Sequence, residues 1–356
     1  MLRIQTNSLA LFTAFTLATG CISSTPEEEE KAPPRIELGG GTESICDALA
    51  PAERVVLGYL PTWRGTEGTR AMVNSLDWAT LTHIAIAFGN PTASSAEIVF
   101  KDMPEEEVRA IIDEAHENGV KVLLSLAGAR DSKLVRGWIG SDDKRAELVE
   151  SLAAAMDSWG FDGVDVDIES ESVDETYAPF VRALAERIRP EGKLVTAAVA
   201  RQFDDDVEDE ALFCFDFINV MAYDMTGTWE APGRDHSSRD DAAQDLRYWS
   251  TTRGYPRERV VLGVPFYGYC WGDACPYEGQ HPYASLVRLF PETVSSDLVE
   301  APGDGYVVSH NDQAAMLEKA ELSLDYGGIM IWEMSQDTND ETSLFRVIRE
   351  TLNSAE

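Results

Sequence analysis

From residue 52 onward the chain repeats one pattern: a short apolar run, then a longer amphipathic stretch. The apolar runs fall at 55–60, 82–88, 121–126, 163–169, 194–199, 217–223, 260–266 and 328–332, and each has the length and composition of a strand. Between them lie stretches with helical spacing. In one, Pro104 and the acids Glu105, Glu106 and Glu107 form a first turn, Val108, Ile111, Ile112 and Ala115 recur on one face, and Gly119 closes the segment. Further helices are expected over 142–159, 177–188, 241–252, 312–324 and 342–352. Alternating strands and helices build a parallel sheet. Eight such units over about 300 residues suit one (β/α)8 barrel, a single domain, better than two doubly wound domains. In a barrel of this kind the catalytic groups stand at the C-terminal ends of the strands.

The fourth run, Phe161-Asp162-Gly163-Val164-Asp165-Val166-Asp167-Ile168-Glu169, is chemically unusual. Alternation along a strand puts Val164, Val166 and Ile168 on one face and Asp165, Asp167 and Glu169 on the other. Positions two apart rise by roughly 6.6 Å, so the three carboxyls titrate together and one of them keeps a proton near neutral pH. A carboxyl that keeps its proton is a general acid. Glu169 is at the C-terminal end of its strand, where such an acid is useful.

The chain holds 29 Lys and Arg against 63 Asp and Glu, a net charge of −34. That excludes a nucleic-acid partner, because no basic stripe exists to displace counterions from phosphates. The histidines His83, His116, His236, His281 and His310 show no paired metal spacing, and no phosphate-binding or dinucleotide glycine loop is present; no cofactor is expected. At the N-terminus, Arg3, the apolar run 9–18 and the small residues Ala18-Thr19-Gly20 read as an export signal over residues 1–20. Residues 21–50, with four consecutive glutamates, paired prolines and three glycines, read as a flexible tether before a domain at 51–356. Cys270 and Cys275 are close enough to form a disulfide in an oxidising compartment, Cys214 reads as a buried thiol, and Cys46 is left unassigned.

Five segments, in strand order, resemble the motifs of family 18 glycoside hydrolases, the chitinases and their relatives. Asp162-Gly-Val-Asp165-Val-Asp167-Ile-Glu169 is similar to D-G-x-D-x-D-x-E; Ser125-Leu126-Ala127-Gly128 resembles S-x-G-G, with Ala127 in place of the first glycine; Met221-Ala222-Tyr223-Asp224 matches M-x-Y-D. Gly263-Val-Pro-Phe-Tyr-Gly268 resembles G-x-P-F-Y-G, and Trp332 ends the last strand as the family's tryptophan does. The resemblance implies substrate-assisted hydrolysis, in which the sugar's own N-acetyl group attacks. It makes Glu169 the acid and then the base, Asp167 the group that orients the acetamide, Asp165 its support from below and Tyr223 the donor to the acetamide carbonyl. Asp162 and Ser125 are expected as structural support. Trp332, Met221, Asp224, Tyr59, Phe88 and Trp229 are expected to bind substrate, and Trp63 and Trp271 are further candidate platforms; Trp159 and Trp249 are expected to be packing residues.

The Cys21 that would follow cleavage resembles the lipidated first residue of a bacterial lipoprotein. The protein is thus expected to be exported and held at the cell envelope, touching membrane only through that anchor, with plain secretion as the alternative, and to be a monomer. The resemblance implies chitin or N-acetylglucosamine-containing oligosaccharides as substrate, the rival being the core of N-linked glycans. The family also contains carbohydrate-binding members that have lost the final acid; this chain retains Glu169. The stretch after the seventh strand, roughly Cys270 to Asn311, is short for the full α+β insertion that walls deep-cleft chitinases, so a shallower groove and internal cleavage are expected.

Overall fold

The computed structural model describes residues 45–47, 49, 52–203, 206–301 and 303–355. Eight parallel strands close into a barrel: β1 (Val55–Pro61), β2 (His83–Ala87), β3 (Lys121–Ala127), β4 (Gly163–Asp167), β5 (Leu194–Val199), β6 (Ile218–Met221), β7 (Val260–Pro265) and β8 (Gly328–Trp332). Each pairs with its sequence neighbours, and β1 closes the ring against β8. All eight expected strands form, with ends moved by three residues or fewer; β4 stops at Asp167, yet Glu169 keeps an extended backbone (φ −119°, ψ 161°). Helices Asp142–Trp159 and Tyr177–Ile188 form over the expected residues.

Both faces of the sheet are buried, as a parallel sheet under a ring of helices requires. Val164, Val166 and Ile168 join the layer between strands and helices, with Ile112, Leu152 and Val181. Val55, Leu57, Leu123, Leu194, Val261 and Met330 fill the barrel's lower interior. That apolar plug sits beneath the acids. It leaves the upper layers of the interior to polar side chains.

The stretch after β7 folds into a small insertion. Strands Tyr267–Trp271, Gly279–Pro282, Leu298–Ala301 and Tyr306–Ser309 form an antiparallel sheet, with helix Tyr283–Leu289 between its second and third strands. This is a compact α+β insertion rather than an extended one. The link between Cys270 and Cys275 closes the connection after its first strand, with Cα atoms 5.9 Å apart. Cys270, Cys275, Leu286, Phe290, Tyr306 and Val308 give the insertion a small core of its own.

One correction concerns Cys214. It is buried as expected but is disulfide-bonded to Cys46 across 168 residues of chain, with Cα atoms 4.4 Å apart. Ile45–Asp47 forms a short turn whose Ile45 carbonyl accepts from Arg189 Nη1 at 3.1 Å. The described end of the expected tether is therefore fastened to the barrel domain. The export signal at 1–20, Cys21 and residues 22–44 lie outside the described residues.

Candidate active site

Register dictates the surroundings of the acids. Asp165 on β4 is in register with Ser125 on β3 and Thr196 on β5, and all three side chains turn into the barrel. Asp165 Oδ2 accepts from Tyr59 Oη at 2.6 Å and Ser125 Oγ at 3.0 Å; Oδ1 accepts from Thr196 Oγ1 at 2.8 Å and Asn219 Nδ2 at 3.2 Å. Burial pushes the Asp165 carboxyl up and the four donors pull it back. Ser125 is thus the support expected of it. Tyr59, expected to line the pocket, instead reaches down to Asp165. Thr196 and Asn219 were not singled out from the sequence, although each is a lone polar residue at an inward position of an otherwise apolar strand.

Asp167 lies one layer higher and is buried. Burial first, then the charges of Glu169 and Asp165, hold its carboxyl well above the usual range. It is hydrogen-bonded to Glu169, yet its Oδ1 is buried and meets no donor among the described residues. A buried acceptor without a donor is costly in a folded protein and common where a ligand supplies the partner.

Glu169 is half-buried at the mouth, and burial together with the nearby charge of Asp224 raises its pKa from 4.5 to about 7. The Ala129 N–H, in the first turn of helix Gly128–Ile139, bonds the carboxylate and opposes the rise. Ser132 Oγ, in the same helix, accepts from the Glu169 N–H at 2.9 Å and so fixes where the side chain starts. The site therefore holds a carboxyl that carries a proton near neutral pH and, once ionised, faces a helix N-terminus.

Tyr223, just past β6, is buried, and burial followed by the charge of Asp167 holds its hydroxyl well above the usual range, so it remains a donor. Its neighbour Asp224 has positive φ (62°) and accepts from Tyr267 Oη and, at 2.9 Å, from Tyr269 Oη. Met221 is half-buried and packs with the barrel interior below Tyr223.

Aromatic rings form the rim. Trp332 at the end of β8 meets the Tyr59 ring edge-on at 5.1 Å and stacks with Phe88 at 5.9 Å; Trp63 stacks on Phe88 at 6.0 Å and is 44% exposed. Phe88 owes its place to Gly128, where a Cβ would come within 2.5 Å of the ring. Trp229 is 64% exposed and is steadied by Tyr269 edge-on at 5.5 Å. Trp271 differs from the expected platform: it is only 6% exposed and donates to the Glu230 carbonyl at 3.2 Å, so it braces the Trp229 loop. Trp249 is fully buried, and Trp159 packs with Phe100 and Phe161.

Two supporting features lie at opposite ends of the barrel. Asp162, at the lower end, accepts from the Val122 N–H at 2.7 Å and lies 2.8 Å from His116 Nε2, joining β3 to β4 well away from the acids' mouth. At the upper end, Ala127 occupies positive φ (82°, ψ −89°), which is why the resembling motif has glycine there. Asn90 clamps that strained residue, with Nδ2 donating to Ala127 O at 3.1 Å and Oδ1 accepting from Ala127 N at 2.7 Å. No cluster of His, Cys, Asp and Glu among the described residues has the geometry to hold a metal ion.

Carboxyls stacked up the inside of a (β/α)8 barrel, with a tyrosine beside them and an indole at the rim, define the class as barrel glycoside hydrolases. The chain belongs to the glycosyl hydrolases family 18, whose description matches residues 55–337. The structure of the chitinase ChiB from the chitin utilization locus of Flavobacterium johnsoniae superposes with a TM-score of 0.74 at 30% identity, covering 86% of this chain and 96% of that one. A chitinase from Bacteroides thetaiotaomicron superposes with a TM-score of 0.73 at 26% identity, covering 85% and 98%. In sequence, the endochitinase of Brugia malayi is 31% identical over 272 residues, which cover 62% of this chain. The chain spans 54% of that protein and 29% of a probable endochitinase of Caenorhabditis elegans.

Proposed function

We propose that this protein hydrolyses β-1,4 bonds beside N-acetylglucosamine, in chitin or chitooligosaccharides, with retention of configuration and with the substrate's acetamide as nucleophile. The observation that carries this reading is the pairing of Glu169, whose carboxyl is raised to about 7, with Asp167, whose buried Oδ1 meets no donor among the described residues. An acetamide N–H is a suitable donor for that oxygen. In the first step Glu169 gives its proton to the glycosidic oxygen as the C1–O bond breaks, while the acetamide oxygen forms a bond to C1. Asp167 accepts from the acetamide N–H and stabilises the positive oxazolinium ring, and Tyr223 donates to the acetamide oxygen and holds it in line. In the second step the Glu169 carboxylate takes a proton from water as that water adds to C1 and the acetamide oxygen leaves. Two inversions at C1 give net retention.

Trp332 serves as the floor under the cleaved sugar, and Trp63, Phe88 and Trp229 extend the platform to its neighbours. The chitinase names of the relatives in both the sequence and the structure comparisons support a chitin-type substrate. Export with a lipid on Cys21 is proposed from the N-terminal sequence, and mass spectrometry of the mature N-terminus tests it.

The deciding experiment incubates wild type and Glu169→Gln with chitooligosaccharides and, in parallel, with an N-linked glycopeptide. Wild type is expected to cleave the chitooligosaccharides and to give β-anomeric product first by proton NMR, with the variant inactive. Cleavage of the glycopeptide alone would transfer the reading to N-glycans, and an initial α-anomer or an active variant would overturn the mechanism.

A further inference from the structure

The peptide that carries Tyr223 is held by a strap. Residues 235–238 run behind residues 222–225: the Met225 N–H donates to the His236 carbonyl at 2.9 Å, and Ser237 Oγ donates to the Ala222 carbonyl at 2.6 Å. The strap is fastened in turn to the insertion, where the His236 N–H donates to Ser309 Oγ at 2.9 Å and Asn311 Nδ2 donates to the Ser237 carbonyl at 2.8 Å.

Beneath it stands Lys319, on helix Gln313–Ser323, with 0% of its surface exposed. Its Nζ donates to the Ser237 carbonyl, to Ser237 Oγ at 2.6 Å and to Asn311 Oδ1 at 2.7 Å. All three ammonium hydrogens are thereby used. A fully buried lysine is rare and costly, and a leucine or methionine would fill the same helix face without desolvating a charge. What the lysine adds is a directed bond to the one hydroxyl that grips the peptide of Tyr223.

We propose that Lys319 is a positioning residue for hydrolysis: through Ser237 it fixes the Ala222–Tyr223 peptide, and so sets the Tyr223 hydroxyl and the Asp224 carboxylate against Glu169. The role in turnover rests on the glycosidase reading; the geometry does not. Asp224 is faced by the hydroxyls of Tyr267 and Tyr269, by His236 Nδ1 at 3.8 Å and by Glu169. Lys319 is faced at longer range by Asp297, Asp235 and Asp241, with His236 also sensing its charge, and burial brings its ammonium down to about 7 despite those acids.

The sign of one measurement separates position from charge. If Lys319 acted on Glu169 through its charge, removing that charge would raise the Glu169 pKa. If it acts through position, removal lets Asp224 draw back, and Glu169 falls below about 7 because the charge of Asp224 helps hold it there. Lys319 and Glu169 both titrate near that pH, so a rate profile alone would mix them. The Glu169 carboxyl is therefore followed directly by carbon-13 NMR, without substrate, in the full chain and in the variants Lys319→Met and Ser237→Ala. Ser237→Ala keeps the buried ammonium and decides the question should Lys319→Met fail to fold.

The Glu169 midpoint is expected to fall in both variants. On chitooligosaccharide, kcat is expected to fall about tenfold with KM changed by less than about twofold, the pattern of a lost transition-state contact. An unchanged or raised midpoint in a folded variant overturns the proposal, as does a lowered melting temperature with unchanged midpoint and unchanged kcat per folded molecule. Wild type that cleaves neither substrate refutes the proposed function, while the NMR titration still decides the positioning role.

Discussion

The carboxyl proposed above as the general acid should weaken the fold, and Glu169→Gln measures by how much. The Glu169 carboxyl titrates at 4.5 in an exposed chain and at about 7 in the folded protein. A raised pKa means that the folded state keeps its proton after the unfolded state has lost it. The resulting stability is therefore fully present below about pH 4.5 and is lost as pH rises through about 7. At about 1.4 kcal/mol per pH unit the ceiling on the cost above pH 7 is about 3 kcal/mol. Glu169 is only half-buried and shares its proton with Asp167, so about 1–3 kcal/mol is the expected range. Glutamine keeps the shape and cannot ionise. Urea unfolding at pH 8 should therefore show Glu169→Gln more stable than wild type by that amount, with the gap closing at pH 4.5. The same variant should lose about 10²–10⁴-fold in kcat, the usual share of a general acid. A stability difference of equal size at both pH values would show that the proton on Glu169 is not what sets it.

Three further substitutions probe the frame around the acids. At Ala127 the backbone strain of positive φ costs about 1–3 kcal/mol, while glycine costs about 0.5–1 kcal/mol in the unfolded chain, so Ala127→Gly should raise the melting temperature by a few degrees. A fall in scanning calorimetry would mean that the Asn90 clamp has already relieved the strain. At Gly227 an added Cβ would lie 2.2 Å from the Trp229 ring, so Gly227→Ala should displace that indole. Specificity for long chitooligosaccharides should then drop several-fold with the shortest substrates unaffected, whereas a uniform loss would make Trp229 a packing residue. Replacing both Cys46 and Cys214 by alanine opens a 168-residue loop, for which chain entropy gives about 5 kcal/mol. The melting temperature should fall by roughly 10 °C with KM unchanged. A shift under about 2 °C would show that Arg189 and Asp216, 3.2 Å apart, fasten this region without the disulfide.

The parts of this structure that were legible in the sequence are those that follow from periodicity. Alternation alone separates Val164 and Val166, which pack outward under the helices, from Asp165 and Asp167, which point inward, and every barrel strand was readable from its apolar run. Pairings between distant residues were not readable in this way. Nothing local distinguishes Cys214 as a thiol from Cys214 bonded to Cys46, because the choice depends on where residue 46 returns in space. The Cys270–Cys275 link, five residues apart, was readable because it is local. Lys319 was overlooked for a different reason: on an exposed helix face a lysine is ordinary, and only the closed fold shows that this one has no water around it.

The same contrast explains how three acids in one strand divide their labour. Sequence spacing makes them interact but cannot say which keeps the proton, since that depends on what four other strands bring to each layer. At the level of Asp165, β1, β3, β5 and β6 contribute Tyr59, Ser125, Thr196 and Asn219, all donors, and these favour its charged form. One layer up, Asp167 meets no donor at Oδ1 among the described residues and feels charge from below and above, so its carboxyl is held well above the usual range. Glu169, nearest solvent and within reach of the Ala129 N–H, is the one placed to pass a proton outward. An acetamide N–H delivered to Asp167 would favour the charged form there and push the shared proton onto Glu169. On this reading, binding of the correct sugar loads the acid, and a sugar without the N-acetyl group leaves the proton where it cannot reach the glycosidic oxygen.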